Sequence, residues 1–464
     1  MTVADELSIE TTPIPGLMVL RLPVHGDNRG WFKENWQREK MVALGLPDFG
    51  PVQNNVSYNL RAGATRGIHA EPWEKLVSIS TGRIFGVWVD LREGDSFGAL
   101  FTLELGPETS VFVPRGVGNA YQTLEDATTY SYLVNDHWSP QAREGYTFVN
   151  LADETLAIDW PLPLADADIS AADLTHPPLT DVVPFRRPRT LVLGAGGQLA
   201  NEFQAVMPDA EYRTVEDFDL TDPDAFDSTS WRDFDLIINA AAYTAVDVAE
   251  TTDGRRLAWA VNGSAVAELA KVARAHGIVL VHYSSDYVFD GVNEVHDEDE
   301  LLSPLGAYAQ SKAAGDLAVS TAPRHYLLRT SWLVGDGSNF VRTMADLADR
   351  GIAPSVVDDQ RGRLTFTDDL VAATLHLLNS DAEYGTYNVS CEGPVQSWAD
   401  IAKDVFVLRG RSADDVTCVT TEEYGAGKQM APRPRNSTLD LTKLTRTGFT
   451  PRHAHDALSA YLGS

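Results

Sequence analysis

The stretch TLVLGAGGQLA, residues 190–200, decides how the C-terminal part of this chain folds. Thr190–Leu193 is a short apolar run that stops at Gly194-Ala195-Gly196-Gly197. Gly194, Gly197 and Ala200 fall in the spacing G-x-x-G-x-x-A, directly after a predicted strand and at the entrance of a predicted helix. Small residues at these places let the backbone approach a pyrophosphate. The first helical turn then offers unpaired N–H groups to it. The motif predicts a dinucleotide site built from Gly194, Gly196, Gly197, Gln198 and Leu199.

Moving outward toward the C-terminus, apolar runs alternate with helical stretches. Leu236–Asn239, Ile278–Tyr283 and Tyr326–Ser331 read as buried strands. Val261–His276 carries apolar residues at 261, 265, 266, 269, 272 and 273, and Gly277 follows as a stop. This alternation predicts a parallel sheet with helices on both faces, an α/β doubly wound Rossmann-type domain. An acid for a cofactor ribose is expected roughly twenty residues after the glycines. Glu216 and Asp217 are both candidates, and Asp219 lies just beyond. Ala240, Ala241 and Ala242 end the next strand, where a cofactor would lie along them.

Tyr308 and Lys312 form Y-x-x-x-K. Residues at i and i+4 share a helix face, so the ammonium is expected near the phenol and to lower its pKa. Such a tyrosine serves as an acid or base near neutrality. Ser285, in Ser284-Ser285-Asp286-Tyr287, places a hydroxyl at the carboxyl edge of the sheet, where ligands bind in such folds.

Moving toward the N-terminus, the texture changes. Leu76–Ser80, Ile84–Leu91, Leu100–Leu105, Ser110–Pro114 and Tyr130–Val134 are short runs rich in Val, Phe, Tyr and Trp. Gly82, Gly94, Asp95 and Gly106 separate them. This spacing predicts an all-β sandwich or barrel. The prolines from Pro177-Pro178 to Pro184 and Pro188 mark a junction. The predicted organisation is a β-domain over 1–180, a proline-rich linker over 181–188 and an α/β-domain over 189–464.

Composition bounds the function. The 464 residues carry a formal net charge of −29, with 37 Lys plus Arg against 66 Asp plus Glu. The excess is spread along the chain, which argues against nucleic acid or an anionic membrane as partner. Two cysteines, Cys391 and Cys418, make neither a disulfide framework nor a zinc ribbon. No apolar run approaches the ~20 residues that span a bilayer. Met1–Glu10 is acidic and reads as no export leader. A cytoplasmic location is expected.

Taken together, VLGAGGQLA (192–200), NAAAYTAVD (239–247), HYSSDYVFDG (282–291), YAQSK (308–312) and RTSW (329–332) resemble the extended short-chain dehydrogenase/reductases. Within them, the dTDP-4-dehydrorhamnose reductase branch is the nearest in pattern. Asp359–Thr365 and Arg433–Ser437 extend the likeness, while Ser285 and Ala200 stand where Thr and Gly are usual. The resemblance implies a small substrate-binding subdomain and NADPH or NADH as cofactor. It implies Ser285, Tyr308 and Lys312 as the catalytic trio, with Tyr308 and Lys312 also touching the cofactor. Asp286, Tyr287 and Trp332 would shape the sugar pocket. The sequence neither requires nor excludes Mg2+ in this half.

The first half has a lone His69 rather than the His-x-His of metal-binding barrels, so no metal is expected there. Asp27–Glu34, Gln53–Ser57, Arg66–His69, Lys75–Val77 and Val89–Arg92 resemble dTDP-4-dehydrorhamnose 3,5-epimerases. Tyr132, Trp138, Ile158–Pro161 and Ser170–Asp173 continue the match. The resemblance implies a cupin-like jelly-roll barrel, with His69 as base, Asp173 orienting it, Tyr132 as acid and Lys75 stabilising an enolate. Arg29 and Arg66 would hold a diphosphate, with Glu34, Gln53, Asn55, Asn119 and Trp138 around the substrate. Asn119 and Trp138 replace the family's usual His and Tyr, which leaves one or two epimerised carbons open. A homodimer through the β-domain is expected.

The two activities are chemically consecutive. Epimerisation beside a ketone needs the ketone, and the reductase removes it. The expected outcome is conversion of dTDP-4-dehydro-6-deoxy-D-glucose to dTDP-L-rhamnose. Three alternatives stay open: the same steps on another nucleotide-deoxysugar, a reductase carrying a non-catalytic nucleotide-binding β-domain, and a cofactor-recycling sugar epimerase or dehydratase in the second half.

Overall fold

The computed structural model describes residues 6–138, 142–186, 189–380 and 382–463. It divides into two compact units, Met1–Pro188 and Arg189–Ser464.

The first unit is built on two six-stranded sheets. One runs in the order Ser8–Thr11, Met18–Arg21, Thr109–Val113, Lys75–Thr81, Thr128–Val134, Gln53–Asn59, with antiparallel neighbours throughout. The other runs Thr147–Phe148, Ala64–Ala70, Val117–Thr123, Ile84–Asp90, Leu100–Leu105, and Asp168–Ile169 pairs parallel with Ala64–Ala70. Alternation along each strand sends one row inward. Val19, Val77, Ile79 and Val111 from one sheet share a core with Ile84, Trp88, Leu105 and Val117 from the other. Strands fall at all five expected runs, within two residues of the predicted ends.

The stretch expected as linker is still part of this unit up to Phe185. The Phe185 N–H donates to the Leu91 carbonyl at 2.6 Å, and the Glu93 N–H donates to the Phe185 carbonyl at 3.0 Å. Val182 is buried in the core beneath it. An apolar residue that finds a sheet edge stays on it, and this shortens any free connection at its N-terminal end.

The second unit carries a six-stranded all-parallel sheet. Its order is Glu211–Arg213, Arg189–Leu193, Phe234–Asn239, Val279–Ser285, His325–Thr330, Gly385–Val389. Alternate residues feed opposite faces. Leu191, Ile237, Leu280 and Leu327 pack with the helix Ala265–His276. Val192, Ile238, Val281 and Leu328 pack with the helices Gln198–Val206 and Thr367–Asn379. The strand order reverses beside Arg189–Leu193, so the glycine turn opens at the switch point where doubly wound sheets take ligands. A separate small core gathers Val341, Leu364, Phe366, Val405, Phe406 and Leu458 around the helices Phe340–Asp349, Trp398–Leu408 and Ala454–Leu462. The helix expected from Val261 begins as regular α only at Ala265, after a π-turn over Ala260–Ser264. It ends at Gly277, whose φ of +65° a side chain would oppose.

Candidate active sites

In the first unit a cavity of about 180 Å³ lies between the two sheets. His69 reaches it because the strand Ala64–Ala70 buries Ile68 and Ala70 on its other face, in a separate core. His69 Nε2 and Asp173 Oδ1 are 2.9 Å apart, and the Gly67 N–H donates to Asp173 Oδ2 at 3.5 Å. The 3-10 turn Asp173–Thr175 places that carboxylate, with the Asp173 N–H held by Ser170 Oγ at 3.1 Å. Ser170 and Asp173 therefore belong to the site. Burial alone would raise the Asp173 carboxyl. The bonds from His69 and Gly67 outweigh it and hold it below the ordinary carboxylate range. With Nε2 engaged, Nδ1 is the nitrogen left for chemistry.

Tyr132 lines the same cavity. Burial and the nearby Glu71 charge push its phenol up to about 12, against a hydrogen bond with Asn55 and the Arg66 charge. It is neutral at physiological pH and holds a proton to give. Lys75 Nζ stands 5.6 Å from the centre of the Tyr132 ring and pairs with Glu71 Oε1 at 2.8 Å, both side chains nearly buried. Glu71 was not expected from the sequence. No residue pattern signals it, because the short loop between Ala70 and Lys75, not a helix face, turns Glu71 onto the lysine. Asn119, opposite His69 in the ladder, accepts a hydrogen bond from the Tyr130 hydroxyl at 2.8 Å.

Arg29, Glu34, Gln53 and Trp138, also expected at the substrate, do not line the cavity. Arg29 sits in the hairpin of His25–Asp27 and Gly30–Phe32, which pairs with neither large sheet, and its exposed guanidinium is spent on Asp27. Glu34 pairs with Lys40 at the surface. Gln53 donates to Asn55 and accepts from the N–H of the exposed Trp138. Asn55 itself reaches the cavity through Tyr132, and Arg66 lines it.

In the second unit the glycine turn has the shape the motif requires. A Cβ on Gly194, whose φ is +89°, would stand 2.7 Å from the Ala241 nitrogen. Gly196 also has positive φ, with open space beside it. Gly197 caps the helix Gln198–Val206. Leu199 buries its side chain in the core, so only its backbone can face a ligand, and the Gln198 side chain donates to the Ser338 carbonyl at 3.4 Å. Ala240 is tied to this turn through its N–H and the Leu193 carbonyl at 3.0 Å. Asp219 accepts from the Thr221 N–H and hydroxyl, both at 2.8 Å. Asp217 accepts likewise from Thr214. Both acids therefore close local turns.

Ser285 and Tyr308 come together at the carboxyl edge of the sheet, with Lys312 four residues on along the Tyr308 helix. Ser285 Oγ donates to Asp286 Oδ1 at 2.8 Å and is hydrogen-bonded to the Tyr308 hydroxyl. Lys312 Nζ donates to the Tyr283 carbonyl at 2.5 Å. Burial pushes Lys312 down to about 8, against the charge of Asp316. The expected lowering of the Tyr308 phenol is not found. Burial and then the Asp286 charge raise it, and the Ser285 bond only partly opposes them. Burial also pushes Asp286 up to about 6. Tyr287 meets Tyr308 edge-on with ring centres 6.1 Å apart. Trp332 lies against the subdomain core, stacked 3.8 Å from Trp398.

Asn262 escaped the sequence reading. It is buried in the π-turn, accepts from the Tyr243 N–H at 2.9 Å, and donates to the Tyr243 carbonyl at 3.0 Å and to Ser311 Oγ at 3.1 Å. It fastens the loop after Ala240–Ala242 to the Tyr308–Lys312 helix. Such turns often mark functional sites, but no residue pattern announced this one.

A His–Asp pair and a protonated tyrosine around one cavity define a proton-transferring isomerase. A glycine turn at a parallel-sheet switch point, with a Ser–Tyr–Lys group beside it, defines a nucleotide-dependent reductase. Comparison with known proteins agrees in both halves. Residues 11–181 match the dTDP-4-dehydrorhamnose 3,5-epimerase family and residues 188–464 the RmlD substrate binding domain family, so the chain belongs to both, one in each unit. It is a bifunctional enzyme, an epimerase joined to a reductase. The first half is 48% identical over 182 residues to the protein RmlC homolog of Streptococcus pyogenes serotype M6, covering 38% of this chain and 91% of that one. The second is 35% identical over 290 residues to the dTDP-4-dehydrorhamnose reductase of Aggregatibacter actinomycetemcomitans, covering 58% and 97%. The solved Bacillus anthracis dTDP-4-dehydrorhamnose reductase in complex with NADP is 31% identical, with a TM-score of 0.55, over 60% of this chain and all of that one.

Proposed function

We propose that the chain converts dTDP-4-dehydro-6-deoxy-D-glucose to dTDP-L-rhamnose in two consecutive steps. The observation that carries this reading is the 2.9 Å His69–Asp173 bond in a cavity that Tyr132 also lines. The 4-ketone acidifies the hydrogens on carbons 3 and 5. His69 Nδ1 takes such a proton, and Asp173 steadies the imidazolium that results. Tyr132 returns a proton from the other face of the sugar. Lys75 steadies the enolate oxygen within its pair with Glu71, and Arg66 holds the diphosphate. The two packed sheets support the reading of this unit as a cupin-like jelly roll.

The second unit then reduces the ketone. The Gly194–Gly197 turn fits a dinucleotide because a Cβ at Gly194 would fill the place where its backbone meets Ala241. Bound there, NADPH or NADH supplies a hydride to carbon 4. Ala240–Ala242 would lie along it, and Lys312 would hold its ribose. Ser285 orients the carbonyl oxygen, and Tyr308 gives that oxygen its proton. A phenol held above its ordinary pKa suits a donor. Asp286, Tyr287 and Trp332 frame the sugar.

No helix among the described residues is long and apolar enough to cross a membrane. The test uses the full-length chain with the keto-sugar nucleotide and NADPH in D2O. Deuterium at carbons 3 and 5 with stoichiometric NADPH loss supports the reading. NADPH loss without label leaves the barrel as a binding module only.

A further inference from the structure

His176 stands beside the epimerase pair, and the proposed chemistry gives it no role. It lies three residues after Asp173, on the same turn, and its Nε2 is 4.0 Å from Asp173 Oδ1. Its ring meets that of His69 edge-on at 5.3 Å and tilts over Phe148 at 4.7 Å. Its Nδ1 is buried without a hydrogen-bond partner, and the ring's other nitrogen is hydrogen-bonded to the Gly67 backbone, a bond that a metal on Nε2 would replace.

We propose that His69, Asp173 and His176 form a binding site for a divalent transition-metal ion, Zn2+ above all, that switches the epimerase off. One ligand atom from each of the three lies within 4.8 Å of the others. Bonds of about 2.0–2.1 Å in a tetrahedral site set ligand atoms about 3.3 Å apart. The edges of 2.9 Å and 4.0 Å at Asp173 Oδ1 bracket that spacing, so a small movement closes the site. Two imidazoles and one carboxylate are a donor set for Zn2+, Co2+ or Ni2+ rather than for Mg2+ or Ca2+. Asp173 Oδ2 stays with the Gly67 N–H, which frees Oδ1 as ligand. Water fills the remaining coordination positions.

Inhibition follows from where the His69 proton goes. Without metal, Nε2–H points at Asp173 and Nδ1 keeps its lone pair. With metal on Nε2, the single proton of the neutral ring moves to Nδ1. No proton is gained or lost overall, but the nitrogen facing the substrate can no longer accept one. The sequence expectation that catalysis needs no metal stands beside this, because the ion is a brake. The inhibitory half of the proposal rests on His69 as base, and the binding half does not.

The experiment compares the metal-free full-length chain with His176→Asn and His176→Gln. Co2+ added to the parent chain is expected to produce visible d–d absorption that both variants lack. Micromolar ZnCl2 is expected to slow solvent-deuterium exchange into the keto-sugar at least about tenfold. EDTA restores it. Both variants exchange at the parental rate without metal, which shows that they are folded, and keep that rate with Zn2+. Identical Co2+ spectra in parent and variants overturn the site. Zn2+ that binds through His176 without slowing exchange overturns the brake. A metal-free parent that exchanges nothing overturns the role of His69 instead, and the Co2+ spectra still decide the site.

Discussion

Asp173 fixes His69 by geometry as much as by charge. The Gly67 N–H claims Oδ2, so Oδ1 must face Nε2. In Asp173→Asn the amide oxygen keeps the Gly67 bond, and the NH2 faces Nε2. That forces the ring proton onto Nδ1, the wrong tautomer for a base. Deuterium exchange is expected to fall by about 10³–10⁴-fold with the fold intact, and exchange within a few-fold of the parent would contradict the assignment. The reductase has its own residue-scale signature. Burial holds the Lys312 ammonium down to about 8. It is charged below that point and neutral above it. Reduction that uses the charged form therefore loses rate as pH rises through about 8, approaching tenfold per unit. A pH–rate profile of kcat/KM that stays level well above this point would show that the ammonium is not needed. At this scale the sequence was legible where spacing fixes a position on one element, as with Tyr308 and Lys312 on one helix, although the Lys312 ammonium turns to the Tyr283 carbonyl. It was illegible where folding supplies the partner. His176 beside His69 and Asn262 beneath the cofactor loop belong to the second kind.

At the scale of elements, the period of the apolar residues carried most of the reading. In the first half the signal was instead richness in Val, Phe, Tyr and Trp between turn residues, because Lys75–Thr81 and Ile84–Asp90 bury both rows of side chains: Val77 and Trp88 between the sheets, Leu76 and Val87 in cores on their other faces. The π-turn at Ala260–Ser264 was missed because it changes hydrogen bonding without changing which residues are apolar. The hairpin holding Arg29 entered the sequence reading only through a family resemblance, and nothing in its composition says which cavity it serves. The glycine turn was legible because a backbone need, not a side chain, defines it. Gly194→Ala sets a methyl 2.7 Å from the Ala241 nitrogen at a positive φ. It is expected to cost about 1–3 kcal/mol of stability, read by thermal melting, and to weaken NADPH binding in a fluorescence titration. Unchanged affinity would show that the turn does not cradle the cofactor.

At the scale of the molecule, the −29 charge is spread over two units that each own a core. An anionic substrate must then be held by local cations. Arg66 lines its own cavity, whereas Arg29 does not. The hairpin leaves Arg29, Trp31 and Phe32 exposed, and the homodimer expected from the sequence would give them the site of a second copy to serve. Sedimentation of the full chain is expected to give a dimer, and Trp31→Glu with Phe32→Glu a monomer with impaired exchange. A parent chain that sediments as a monomer while exchanging normally would contradict this.

The central claim is that one chain holds two separable sites acting in sequence on one keto-sugar nucleotide. The most direct measurement supplies that substrate and NADPH in D2O to the parent, His69→Ala and Tyr308→Phe, and follows NADPH loss and label position by NMR. His69→Ala is expected to abolish label, and Tyr308→Phe to stop NADPH loss while leaving label at carbons 3 and 5. Loss of both signals in both variants would contradict the two-site account.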